Sequence, residues 1–206
     1  MSDFSVVTRF VPPGGNFTLP PRAGRMVVVM TKFNSDGGGI IIGPVASPLV
    51  RYGIADGLAQ HRFYRSDLYD TLDDEFMFNN PSGSINTYST IEVWTNDKAE
   101  FCPRNLCNAT STFRLVRQPG GVGTLNVINS NPDREILAFG SRFQDGRLWF
   151  NRRPANPNTD IFDSFLLGDG GTFWAHRKDF GSLVTSAVFF GPAGAFLQVG
   201  CGEVVP

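Results

Sequence analysis

The side chains able to do chemistry in this sequence are few and scattered. Two histidines occur, His61 within Gln60-His61-Arg62 and His176 within Trp174-Ala175-His176-Arg177. A Ser-His-Asp or Cys-His site needs one of them beside a nucleophile. Neither is accompanied by a nucleophile elbow, a phosphate loop, a metalloprotease histidine pair or a dinucleotide fingerprint. The three cysteines, Cys102, Cys107 and Cys201, cannot complete a disulfide framework. Cys102 and Cys107 are close enough to bridge a short loop in an exported protein and stay thiols in a reducing cytosol. They lack a second nearby ligand pair, which argues against zinc. Asp67, Asp70, Asp73, Asp74 and Glu75 form an acidic run with the hard oxygens that Ca²⁺ prefers, but without EF-hand spacing. That run reads as a solvated loop. Glu92 shares a strand face with Trp94, a pairing that suits sugar stacking, and a glycosidase would need a second carboxylate across a cleft. The expectation is no enzyme, no cofactor and no metal.

The elements that would carry these residues are strands. Lysine and glutamate, good helix formers, are scarce, while Gly, Pro and Phe abound at 23, 14 and 19 residues. Arg25–Thr31 is a continuous apolar run of strand length, and residues 40–42 follow an Asp-Gly-Gly turn. Tyr88–Thr95 alternates with period two, as does Thr124–Asn129. Further strands are expected at Thr112–Arg117, Ile136–Phe139, Arg147–Phe150, Phe162–Leu167, Thr172–His176, Leu183–Phe190 and Ala195–Val199. Ser66–Leu72 is the best short helix, with Leu68, Leu72 and Phe76 at four-residue spacing. Turn signals recur at the rhythm of a sandwich or barrel. No internal repeat of useful length stands out. The expected fold is all-β, an antiparallel β-sandwich or jelly-roll-like domain with an extended N-terminal arm. The arm covers 1–22 and one β domain covers 23–206, with a possible seam near 118–123.

The net charge of −1 speaks against a nucleic-acid partner. No apolar run approaches the roughly 18–20 residues of a membrane span, and residues 1–10 do not read as a signal peptide. In residues 1–22, Pro12-Pro13 and Pro20-Pro21 remove ladder donors and force extended backbone. Such an arm would place Phe4, Val6, Phe10, Phe17 and Leu19 at an interface.

With its proline-broken arm, its Asp-Gly-Gly and Pro-Gly-Gly turns and its Lys-poor body, the chain resembles virion structural proteins of tailed bacteriophages, such as capsid decoration and minor structural subunits. The resemblance implies a homo-oligomer, with a trimer favoured, that contacts the major capsid protein or another virion protein. It also implies a virion location after assembly in the host cytoplasm. The alternative is a carbohydrate- or receptor-binding β-sandwich using Trp94, Trp149, Trp174 and the Asn-rich loop 151–160. A glycoside hydrolase stands third.

Overall fold

The computed structural model describes residues 2–33, 37–54, 57–96, 110–118, 125–142, 146–168, 171–191 and 196–205. Cys102, Cys107 and most of the 118–123 stretch lie outside the described residues. The chain forms two compact units, an N-unit of Phe4–Asn96 and a C-unit of Asp97–Pro206 together with Met1–Asp3. The division thus falls between Asn96 and Asp97, away from the 118–123 stretch.

The N-unit contains β1 (Ser2–Val11, whose first residues belong to the C-unit), β2 (Asn16–Leu19), β3 (Arg25–Phe33), β4 (Gly38–Ile42), β5 (Val50–Ile54) and β6 (Ala59–Tyr64). A single helical turn, α1 (Arg65–Leu68), runs into a 3-10 turn (Tyr69–Asp73), followed by β7 (Phe76–Asn79) and β8 (Asn86–Thr95). These strands make two four-stranded sheets, ordered β1-β8-β3-β6 and β2-β7-β4-β5. Residues 1–22 are therefore largely sheet: β1 is an edge strand beside β8, and β2 pairs antiparallel with β7. The double prolines fall between strands, where no ladder donor is needed.

The C-unit repeats this plan. It contains β9 (Thr110–Gln118), β10 (Leu125–Ile128), β11 (Arg134–Arg142), β12 (Gly146–Phe150), β13 (Phe165–Leu167) and β14 (Thr172–His176). Then come the helical turn α2 (Arg177–Phe180), a 3-10 turn (Gly181–Thr185), β15 (Ala187–Phe190) and β16 (Phe196–Val205). The sheet orders are β9-β16-β11-β14 and β10-β15-β12-β13, strand for strand the orders of the N-unit. Registers agree as well. Met30 lies between Thr90 and His61, and Phe139 lies between Val199 and Phe173. Ile40 pairs with Tyr52 and Phe78, and Leu148 pairs with Phe165 and Phe189. Even the irregularities match: β3 slips register between Arg25 and Val27, and β11 between Arg134 and Ile136. The molecule is one β-sandwich plan used twice.

The antiparallel all-β architecture agrees with the sequence reading. The stretch Leu183–Phe190 does not form one strand; it divides into the end of a 3-10 turn and the four residues of β15. Likewise Ser66–Leu72 is a four-residue helical turn continued as 3-10. Neither turn has a side-chain N-cap, and a helix this short gains little from its own hydrogen bonds. Arginines from the neighbouring sheet hold both. Arg25 donates from Nη1 to the carbonyls of Leu72 (2.9 Å) and Asp74 (2.7 Å). Arg134 donates from Nη1 to the carbonyls of Val184 (3.2 Å) and Thr185. Each turn in return begins with an arginine whose Nε donates back to that arginine's carbonyl, Arg65 to Arg25 (2.8 Å) and Arg177 to Arg134 (2.9 Å). Orphaned carbonyls at the turn ends are thereby satisfied by buried guanidinium groups.

Between the two sheets of the N-unit, Val28, Met30, Ile40, Ile42, Leu72, Phe76, Phe78 and Tyr88 pack as one buried cluster. In the C-unit, Leu137, Phe139, Leu148, Phe150, Phe165, Phe173, Phe180 and Phe189 are all buried. Fully burying one such side chain contributes about 1.5–3 kcal/mol. These interiors set what each unit can present.

Candidate functional site

Strand alternation decides which side chains of the N-unit point between its sheets. On β3 the inward residues are Val28, Met30 and, continuing the period, Lys32. Across the ladder, Val28 faces Glu92 and Phe63, Met30 faces Thr90 and His61, and Lys32 faces Tyr88 and Ala59. The N-unit interior is therefore polar along one row. Lys32, Tyr88 and Thr90 have no exposed surface. At the first two steps of the same row in the C-unit, Leu137 pairs with Cys201 and Ala175, and Phe139 pairs with Val199 and Phe173; Ser141 stands in step with Lys32.

At one end of the row the charges are committed to structure. Glu92, 3% exposed, accepts from Nε (3.1 Å) and Nη2 (2.9 Å) of the fully buried Arg25 and pairs with Arg22 at 3.1 Å. Burial pulls the Arg25 pKa down, and the Glu92 charge pulls it back toward its ordinary value. Arg22 also lies over the Trp94 ring, 3.8 Å from its centroid. The Glu92–Trp94 pairing seen in the sequence is thus an ion-pair cluster that holds β3, the 3-10 turn and the Pro20 carbonyl together. Both carboxylate oxygens of Glu92 are thereby engaged by guanidinium groups.

The other end differs. The edge strands β5 and β6 bring Tyr52, His61 and Phe63 together. Tyr52 stands edge-on to His61, with centroids 5.1 Å apart, and to Phe63 at 6.0 Å. Tyr52 is 45% exposed. Nε2 of His61 is buried and has no hydrogen-bond partner, an uncommon condition for a buried polar atom. Burial, and after it the charge of Lys32, pushes the His61 pKa below the ordinary imidazole value, so the ring is neutral at pH 7. Burial raises the Tyr88 pKa, against a smaller opposing effect from Asn86, and its hydroxyl donates to the Asn79 carbonyl at 3.0 Å. On the opposite, outward face of β6, Arg62 Nε and Nη2 donate to the Gln60 side-chain oxygen at 3.1 and 3.0 Å. An aromatic plate beside an unsatisfied imidazole can stack on a ring and accept or donate one hydrogen bond.

The tryptophans proposed for sugar binding do not share such a surface. Trp149 is fully buried, its Nε1 donating to the Asp160 carbonyl (3.0 Å) as loop 151–160 folds over it. Trp94 is covered by Arg22. Trp174 alone stands well out, 42% exposed on the outer face of β14. Of the arm residues, Phe4 and Val6 are half-buried and Phe10 is 51% exposed. Phe17 stacks on Phe78 at 5.5 Å and Leu19 is buried in the N-unit core, so these two do not reach outward. In the acidic run, Arg65 pairs with Asp70 at 3.0 Å and with Asp73. Among the described residues no three His, Cys, Asp or Glu side chains gather to hold a metal. Tyr52 and Lys32 carried no signal in the sequence, and His61 was seen only as an isolated histidine. Only the alignment of the two units by register shows that these positions are Tyr and His in one copy and Phe in the other.

No protein-family model matches the chain, and no curated protein matches it in sequence. Solved structures overlay loosely. The PBSX exported protein XepA is 10% identical, with 100% of this chain and 86% of that chain covered at a TM-score of 0.33. HutD from Pseudomonas fluorescens SBW25 is 10% identical, covering 100% and 80% at 0.35. The major capsid protein P2 from bacteriophage PM2 is 10% identical, covering 100% and 98% at 0.34. Overlays this loose bear on neither activity nor partner.

Proposed function

We propose that the protein is a non-catalytic binding module that seats a carbohydrate, free or displayed on a receptor, at the β5–β6 side of the N-unit. The observation that carries this reading is the pair Tyr52 and His61. One ring is half-exposed, and the other holds a buried nitrogen without a partner, at register positions where the C-unit buries Phe165 and Phe173. A partly exposed tyrosine offers a flat apolar face for a sugar ring, and an unpaired buried nitrogen is a standing cost that a ligand hydroxyl or carboxylate removes. Screening of the intact protein on a glycan array tests the reading. Binding that falls at least tenfold in Tyr52→Ala supports it; binding indifferent to Tyr52→Ala and His61→Phe overturns it.

A second reading, a virion structural subunit acting as a homo-oligomer, with a trimer favoured, against a capsid protein, has one observation in its favour. β1 is a sheet edge and carries the half-exposed Phe10, and exposed edges accept further strands. Light scattering decides it. An oligomer that dissociates in Phe10→Ser supports this reading, and a monomeric wild type removes it.

A further inference from the structure

We infer that the outer face of β4 and β5 in the N-unit docks an extended, acidic polypeptide segment of a partner protein. This goes beyond the carbohydrate reading, because the face lies on the side of β5 opposite Tyr52. The C-unit shows what such a face holds. Leu148 and Phe150 of β12 are core residues, so Arg147 and Trp149 point outward. Arg147 donates from Nη1 to the Pro157 carbonyl (3.2 Å), and Trp149 from Nε1 to the Asp160 carbonyl (3.0 Å). The connection 151–164 between β12 and β13 is thus laid across its own sheet, and Trp149 has no exposed surface.

Register puts Gly39 in step with Arg147, Ile41 with Trp149 and Gly53 with Leu166. The N-unit connection, 43–49, is half as long, and the face beside it stays open: Leu49, Arg51 and Gly53 are exposed and Ile41 is half-buried. Gly39 and Gly53 pair across the two strands, and a Cβ on Gly53 would meet nothing within 4 Å. A strip without side chains lets a second backbone approach closely. Ile41 and Leu49 supply apolar contact beside it. Arg51 supplies the charge; among the described residues nothing pairs with its guanidinium. Glu75, which precedes β7, stands two strands over. The β5 side is therefore positive, and its complement is a carboxylate. The segment that the C-unit seats has this character, with Asp160 and Asp163 flanking Ile161-Phe162.

The test uses the full chain and two synthetic peptides: residues 154–163, and the same segment carrying Asp160→Asn and Asp163→Asn. Binding is read by calorimetry and by the backbone amide signals of the protein. The expected result is saturable binding of the acidic peptide with a Kd below about 1 mM, the range of effective concentration that a short tether gives the internal segment. Binding should be about tenfold weaker for the neutral peptide and in Arg51→Glu. It should be lost in Gly53→Trp, whose ring fills the open strip. If Gly53→Trp does not fold, Arg51→Glu decides alone. Failure of the acidic peptide to bind overturns the inference. Binding that both variants leave unchanged places the peptide on the C-unit and also overturns it. Equal binding of the two peptides overturns the choice of an acidic partner. A wild type that self-associates in light scattering and becomes monomeric in Gly53→Trp assigns the face to a second copy and overturns the partner.

Discussion

Strands β6 and β14 occupy the same place in two copies of one sandwich, yet they do opposite things with it. β14 alternates cleanly, Phe173 and Ala175 buried and Thr172, Trp174 and His176 outside. β6 has no such division: all six of its residues, Gln60 to Phe63 among them, are half-buried. The frame around them is the same in both units. Arg25 with Arg65 and Arg134 with Arg177 hold the two helical turns by equivalent bonds, and those turns have near-identical cap angles. The arginine frame fixes the fold, so the residues between the sheets are free to differ. The C-unit fills that space with phenylalanine, which maximises buried apolar area. The N-unit places a charge, a histidine and tyrosines there, which costs stability unless something is gained.

The largest break in the comparison concerns charge. In the N-unit, Nε of Arg25 is met by Glu92; in the C-unit, Nε of Arg134 has no partner, and Cys201 stands in the register position of Glu92. Glu92→Ala should cost about 3–5 kcal/mol, because it strands a fully buried guanidinium; denaturant unfolding measures it. Exchanging the interiors comes next. Phe173→His should destabilise by about 2–3 kcal/mol by burying an unpaired polar ring in an aromatic cluster. Its mirror His61→Phe should change stability by less than about 1 kcal/mol, or raise it.

Smaller effects test the turns. Gly181 adopts φ +52°, and a Cβ there would lie 1.6 Å from Oγ of Ser2, which is bound to Ser182. Gly181→Ala should therefore cost about 2 kcal/mol. The N-unit puts Tyr69 at the same place, φ 50° and 73% exposed. Tyr69→Gly should gain about 1 kcal/mol as strain relief exceeds the added chain entropy. The smallest effect is on pH dependence. Burial first, and Lys32 second, hold His61 below the ordinary 6.5, so the unfolded chain takes up a proton that the folded ring refuses. That contribution to stability is complete above pH 6.5 and is lost as pH falls below it. Thermal unfolding between pH 7.5 and 5.5 should thus fall more steeply in wild type than in His61→Phe.

The β character was legible because alternation in Tyr88–Thr95 and Thr172–His176 and the apolar run at Arg25–Thr31 are local signals. The duplication was not. Its surviving sequence traces are Arg65-Ser66-Asp67-Leu68 against Arg177-Lys178-Asp179-Phe180 and the isolated arginines Arg25 and Arg134. Four residues are too few to read as a repeat before the hydrogen bonds show their common task. Residues 1–22 read as an arm because proline pairs look the same whether they end a free segment or separate two strands. Trp149 read as a surface residue because the Asn-rich loop gave no hint of folding back over it. The candidate site was illegible for a related reason: Lys32 and His61 are 29 residues apart and meet only through the β3–β6 register.

The central claim is that the N-unit keeps a ligand site where the C-unit keeps a packed core. The two histidines are natural reporters, His61 on β6 and His176 at the end of β14. Titration with a glycan that the array identifies, followed by the imidazole resonances of both, measures it directly. The account predicts a saturable shift of His61 with His176 unmoved; a still His61, or a shift confined to His176, would contradict it.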